Sequence, residues 1–411
     1  MSELNKTIIH IDMNSYFATV EQQADPCLRG KPVGVLKAQG RNCIIAVSKE
    51  AKLYGVATGS NTWEALRLCP GIILVPSDMD KYFAVTKKLI EIVKCYSPLI
   101  EVFSIDEMFL DVTSTQELFE GGATGVAVAI KERIKDEIGE WLTCSVGISY
   151  NKILAKLASE QMKPDGLFVL DRENLDKVLA RIKPSCVCGI GYRMERKLQK
   201  LGITNLLQLR TLPYEYLLAQ FGEHWARFLL ATALGEGTDI LNNMENIPEQ
   251  KSVSRTFTTF RNLESKDQVK ALVRNLSEEV AWKLRKMGMT GRCVGISVRG
   301  GGVSVFERRT TREEVDDGAL IFDMAWGLFE GLEWRSSVRF AGVWMTNLRS
   351  SRLNSQSLIP EIKKKESINR AMDQVNNRYG YFSLYPGRLL GAETARPEPN
   401  GFLGDKKFLF G

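Results

Sequence analysis

Residues 8–12 read IIHID and residues 101–113 read EVFSIDEMFLDVT, and these two segments decide how the chain is built. A strand over the first carries Asp12 to a sheet edge, and Ser104-Ile105-Asp106-Glu107 makes a turn between two further strand runs. Three carboxylates at adjacent strand ends suit a hard divalent cation, which prefers a few carboxylates plus substrate phosphates, as phosphoryl transfer requires. Plainer explanations exist for each acid alone: Asp106 and Glu107 as a solvated turn, Asp12 as the N-cap of a helix over 15–24.

Working outward, the first 170 or so residues alternate strand runs (TIIHIDM, PVGVL, CIIAV, IEVFS, EMFLDV, TCSVGIS) with amphipathic stretches at 79–96 and 127–138, a mixed α/β pattern. From Pro184 the run GIGYRMERKLQKLGITNLLQL gives two Gly-bounded helical turns resembling a helix-hairpin-helix. Residues 234–250 lack apolar periodicity and read as a linker. Beyond it come strand, helix (266–287), strand, strand, helix (320–332) and strand, a βαββαβ order. Residues 251–312 hold 14 Lys and Arg against 5 Asp and Glu, a surplus of 14 − 5 = 9 in a chain whose total is +6, so this module expects a polyanion. From Ser351 the sequence reads as an unpacked tail ending in an aromatic tip.

With 411 residues, two to four domains are expected, and 44% hydrophobic with 25% charged residues describes a globular protein. No apolar run reaches the ~18 residues of a membrane span, and the first dozen residues lack a signal-peptide pattern, so a cytoplasmic protein is expected. Eight cysteines without C-x-x-C spacing suggest reduced thiols.

In order and spacing, IDMNSYFATVE at 11–21, EVFSIDEMFLDVT at 101–113 and SVGISYNKILAKLASEQMKPDG at 145–166 resemble the catalytic motifs of Y-family DNA polymerases. The resemblance implies an α+β multidomain right hand: palm over 1–17 and 76–168, small fingers over 18–75, helix-hairpin-helix thumb over 169–233, linker over 234–250, and a βαββαβ little finger over 251–350, with the tail 351–411 outside it. The implied activity is low-fidelity, template-directed transfer from dNTP to a primer 3′-hydroxyl, in translesion synthesis during DNA repair and the SOS response. A monomer bound to primer-template DNA is implied.

Carried onto this sequence, the resemblance gives Asp12 and Asp106 two Mg²⁺ ions, which Mn²⁺ can replace. It gives Glu107 the ion at the primer oxygen and the Met13 carbonyl the nucleotide-side ion. Phe17 matches the steric gate against a ribose 2′-hydroxyl, with Tyr16 beside it at the nucleotide; an ordinary apolar helix residue is the alternative. Lys163 matches the lysine that reaches the triphosphate. Lys152 and Lys156, one helical turn apart, are DNA-phosphate candidates or simply solvated. Gly189 and Gly191 bound a turn that holds a phosphate or is merely tight. Arg255, Arg299, Arg308, Arg309 and Arg312 are expected to contact DNA phosphates. Phe408, Leu409 and Phe410 resemble a sliding-clamp peptide, or fold back on the little finger.

Two departures stand out. Where many members carry Tyr-x-x-Arg on the triphosphate, this chain has Lys49-Glu50-Ala51-Lys52; Lys52 keeps a charge without the planar fork of arginine. That wording is closer to the catalytic subunit of bacterial polymerase V than to the polymerase IV branch, and both stay open. Asn14 replaces a common aspartate outside the three ligands, with little effect on chemistry expected. A non-catalytic adaptor of the same fold would lack the acids, and a nucleotide cyclase would lack the helical and basic modules.

Overall fold

The computed structural model describes residues 6–37, 43–242, 250–351, 360–380 and 383–389; Phe408, Leu409 and Phe410 lie outside them. Described residues up to 242 form one compact unit and those from 250 a second. The first runs β1 (Ile8–Met13), α1 (Tyr16–Ala24), β2 (Val33–Leu36), β3 (Ile44–Val47), α2 (Lys49–Lys52), α3 (Thr62–Leu68), β4 (Ile73–Pro76), α4 (Met79–Lys94), β5 (Leu99–Val102), β6 (Glu107–Asp111), α5 (Gly122–Glu137), β7 (Cys144–Ser149), α6 (Lys152–Gln161), β8 (Leu167–Val169), α7 (Leu175–Leu179), α8 (Tyr192–Lys200), α9 (Tyr214–Phe221) and α10 (Glu223–Ala233).

The main sheet has the order β5-β6-β1-β7-β8, and β1, buried throughout, is antiparallel to both neighbours. Strand side chains alternate between faces. Ile9, Ile11 and Met13 therefore join Leu89, Ile92 and Ile130 of α4 and α5 in one core. Ile8 packs against Ala155 of α6, and His10 bonds Ser159 of the same helix at 2.8 Å. Asp12 shares that second face.

Strands β3-β2-β4 make a small separate sheet. The sequence reading divides α1 after residue 17 between the palm and this module, yet Ala18 and Val20 join Tyr16 in the main-sheet core, since only Asn14 and Ser15 separate α1 from β1. Helices α6 to α10 share a third core that includes Leu157, Leu179, Leu198 and Leu229. The Gly-Ile-Gly turn is preceded by a 3-10 turn at Pro184–Cys186 rather than a full helix, and is followed by α8.

The second unit contains β9 (Ser252–Leu263), α11 (Lys266–Lys286), β10 (Met289–Gly300), β11 (Val303–Val315), α12 (Gly318–Glu330), β12 (Val338–Ser350) and α13 (Pro360–Tyr379). Its βαββαβ part follows the order read from sequence, with the antiparallel sheet β11-β10-β12-β9. Helices α11 and α12 cover Val294, Ile296, Val298 and Val343 on one face. The opposite face carries Phe306 stacked on Trp344 at 4.2 Å and Arg299 over Phe340 at 4.6 Å.

The expectation of an unpacked tail needs correction, because residues 360–379 are helical. Polar contacts rather than an apolar stripe hold α13, so hydrophobic periodicity does not reveal it. Arg285 donates to both Asp373 oxygens at 2.6 and 2.8 Å, and Asn369 donates to Asp317 at 2.9 Å. Arg285 and Asp373 are 14% and 19% exposed, and orphaning one member of a buried pair costs about 3–5 kcal/mol. Asp373→Ala is therefore expected to lower unfolding free energy by roughly 3 kcal/mol and to speed amide exchange first across 360–379. Unchanged exchange there would sink this account of how α13 is held.

Candidate active site

Asp12 stands opposite Glu107 across the β1–β6 ladder. The Met13 N–H donates to the Asp106 carbonyl at 3.0 Å, and the Phe103 and Ser104 N–H groups both donate to the Glu107 carbonyl at 3.0 Å. This tight turn brings Asp106 beside Asp12, as the sequence suggests. The Ser104 hydroxyl donates to the Asp106 carboxylate. Burial pushes the Asp12 carboxyl up to about 6 despite Lys163, and a hydrogen bond with the Glu107 carboxyl adds to the rise. Burial also raises Asp106, offset by Ser104 and reinforced by the charge of Asp12.

Lysines compensate part of this charge. Lys163 Nζ lies 3.0 Å from Asp12 and 2.6 Å from Glu160, and Lys156 pairs with Glu107. A cleft of about 660 Å³ opens beside Asp12, lined by Asn14, Lys49, Lys52, Trp141 and Lys163 among others. Lys49 lies over the Trp141 ring at 5.2 Å. The Lys52 ammonium is held below its usual value, first by burial and then by Lys163. Asp12 and three lysines lining one cleft, with Asp106 and Glu107 next to Asp12, suit a polyphosphate whose reacting phosphorus faces the acids. Trp141, in a strand-entry segment without motif character, gives no sequence signal for its place here.

Among the described residues no three acid, imidazole or thiol groups converge closely enough to hold an ion by themselves. Magnesium does not need such a cage, since it keeps waters and takes one or two carboxylates plus phosphate oxygens. Asp12 is buried and Asp106 partly buried, and burial raises both carboxyls, so these neighbouring oxygen donors fit a hard divalent cation.

A pH effect follows. A carboxyl near 6 in the folded chain and about 3.9 unfolded contributes stability that is fully present below about pH 4 and lost as pH rises through 6, roughly 2–3 kcal/mol. Melting temperature without metal should fall over that window, Asp12→Asn should flatten the fall, and Mg²⁺ should restore more at pH 7 than at pH 5. An Asp12→Asn variant with the same pH slope as wild type would refute the assignment.

Comparisons with known proteins give the family. Residues 11–160 match the impB/mucB/samB family and residues 250–358 its C-terminal domain. A DNA polymerase IV of Moorella thermoacetica is 35% identical over 91% of this chain and 94% of its own length. One from Acetivibrio thermocellus is 32% identical over 94% and 98%. A solved Y-family DNA polymerase chimera superposes with a TM-score of 0.73 at 25% identity, over 83% of this chain and 98% of its own. The chain belongs to the Y-family of DNA polymerases. These relatives carry the polymerase IV name, whereas the Lys49 to Lys52 wording leans toward polymerase V.

In this Y-family chain, Phe17 is half-buried and stacks on Tyr82 with centroids 4.3 Å apart and planes 16° apart. Tyr16, expected at the nucleotide, is instead 3% exposed, and its hydroxyl donates to the Tyr82 carbonyl at 2.8 Å; adjacent helix positions point about 100° apart, so Tyr16 turns into the core where Phe17 stays half-buried. Lys152, expected on DNA, is bound to Glu101 at 2.7 Å. Lys156 meets Glu107 among the acids rather than a free surface.

Arg255 also needs correction. It shares the inward face of β9 with Val253 and, at 5% exposure, pairs with Glu279 of α11 at 3.1 Å. Arg299, Arg308, Arg309 and Arg312 are exposed. Arg299 and Arg308 share the aromatic face, since Arg308 opposes Gly295, over which Trp344 lies. Gly189, at φ +101°, and Gly191, the residue before α8, frame the helical-module turn. No helix among the described residues is long and apolar enough to cross a membrane.

Proposed function

We propose that the chain is a low-fidelity, template-directed DNA polymerase that extends primers past damaged template bases in the cytoplasm, during DNA repair and the SOS response. The observation that carries this reading is the Asp12–Glu107 pair with Asp106 alongside, where Asp12 lines a cleft that three lysines also line. Two Mg²⁺ ions held by Asp12, Asp106, Glu107 and the Met13 carbonyl would acidify the primer 3′-hydroxyl and neutralise the leaving pyrophosphate. Lys163 exchanges Asp12 for a triphosphate oxygen, and Lys52 and Lys49 receive the outer phosphates as point charges without the fork of arginine. Phe17, braced by Tyr82, closes the space beside the sugar C2′.

In the second unit, Arg299 and Arg308 contact DNA phosphates, so affinity is expected to fall steeply with salt, and Arg299→Ala and Arg308→Ala are each expected to lower the log–log salt slope by roughly 1. An unchanged slope in both would remove them from the DNA interface. Arg255→Gln should act on stability instead, because its charge is spent on Glu279. Outside the described residues, Phe408, Leu409 and Phe410 are proposed to dock on a sliding clamp.

The test is extension of a labelled primer on intact and abasic templates with Mg²⁺ and each dNTP. Short, distributive products that pass the lesion support the reading. Salt-sensitive DNA binding without any extension would point to an adaptor of the same fold.

A further inference from the structure

The loop that carries Lys163 is held by residues with no part in metal or phosphate binding. The Asn14 side chain, 9% exposed, accepts at Oδ1 from the Asp165 N–H at 2.8 Å and from the Thr143 hydroxyl at 3.1 Å. Its Nδ2 donates to Ser145 Oγ at 2.9 Å, which fixes the amide's orientation. From the other side, Lys131 Nζ donates to the Asp165 carbonyl and carboxylate, both at 2.6 Å, and to the Cys144 carbonyl at 2.8 Å. Asp165 sits at φ +57°, a left-handed conformation that non-glycine residues keep only where their surroundings enforce it. Just beyond, Gly166 has no room for a side chain, since a Cβ would come within 1.9 Å of the Met162 carbonyl oxygen.

We propose that Asn14 and Lys131 are positioning residues for the incoming nucleotide: they clamp the 163–166 turn from both sides so that the Lys163 ammonium meets the triphosphate beside Asp12. This rests on the polymerase reading above and gives Asn14 a role the sequence pattern does not. The clamp ties together three segments distant in sequence: the β1–α1 junction, α5 and the α6–β8 connection. The Lys163 ammonium sits between Asp12 and Glu160, and where its backbone launches it toward that place depends on how firmly residue 165 is held. An aspartate at position 14 would keep both acceptor bonds, with Ser145 turning its hydroxyl to donate, whereas alanine would leave the Asp165 N–H without its acceptor.

The experiment measures dNTP affinity for the chain on a 3′-dideoxy primer-template, where turnover is blocked, and then KM and kcat on an extendable primer. Asn14→Ala is expected to weaken affinity about ten-fold and raise KM similarly, with kcat within about three-fold of wild type, and Asn14→Asp to restore affinity to within about three-fold. Lys131→Met, a milder change at a partly exposed site, should move in the same direction with unchanged melting temperature. In a Lys163→Ala background, Asn14→Ala should add less than about two-fold, because both changes remove one function. Unchanged affinity in Asn14→Ala and Lys131→Met, or losses that multiply with Lys163→Ala, would overturn the proposal. Wild-type chain that binds dNTP yet never extends a primer would refute the polymerase reading alone, and the affinities would still decide the clamp; no dNTP binding at all would end both.

Discussion

Asp106→Ala is expected to abolish primer extension, lowering kcat/KM by at least about 10³-fold, while its melting temperature without metal stays level or rises. Ordinary core substitutions do not combine these two effects. The Asp106 carboxyl is held above its usual pKa by burial and by Asp12, so deleting it relieves repulsion in the folded state. The same deletion leaves Asp12 and Glu107 too few oxygens to share two divalent cations. Kinetics on primer-template DNA beside thermal melts of both proteins decide the matter. A variant that melts lower and keeps even a hundredth of wild-type extension would show Asp106 to be structural.

Phe17→Ala is expected to raise ribonucleotide incorporation relative to deoxyribonucleotide by about 10²-fold, the scale at which a shape-only pocket discriminates. A gate at Phe17 would be braced by the ring beneath it. Phe17 stacks on Tyr82, which is fully buried and donates its own hydroxyl to Glu21 at 2.7 Å. Removing the ring should cost roughly 2 kcal/mol of stability, less than the about 3–5 kcal/mol of a fully buried aromatic truncation because Phe17 is only half-buried. Single-nucleotide incorporation of matched rNTP and dNTP gives the ratio. An unchanged ratio with normal dNTP kinetics would move the gate to another residue.

The central strand and its acids were legible because a β-branched run ending in a carboxylate carries its structure locally, and the same holds for the βαββαβ order of the second unit. What failed to show depends on residues far apart in sequence. Lys152 finds Glu101 and Arg255 finds Glu279 only once the sheet and helices are assembled, so a basic residue's exposure cannot be read from its own segment. Helix α5 begins at Gly122, earlier than the apolar pattern from 127 suggests, since Gly-Ala-Thr-Gly is poor helix-forming sequence recruited by its neighbours. Tyr16 and Phe17 are adjacent aromatics, and which of them turns fully into the core depends on helix phase. The Asn14 network joins positions more than a hundred residues apart, beyond any periodicity.

The pairing of Asp12 with Glu107 has a consequence for how such a chain can change length. Both acids are indexed by a ladder with a side-chain period of two, so a single inserted or deleted residue within β1 would exchange its faces. Asp12 would then turn into the apolar layer beneath α4 and α5, and Ile11 or Met13 would take its place beside Lys163. Length variation is therefore tolerated only in connections, and the six residues of β1 with the five of β6 act as a fixed ruler against which the reacting groups are measured.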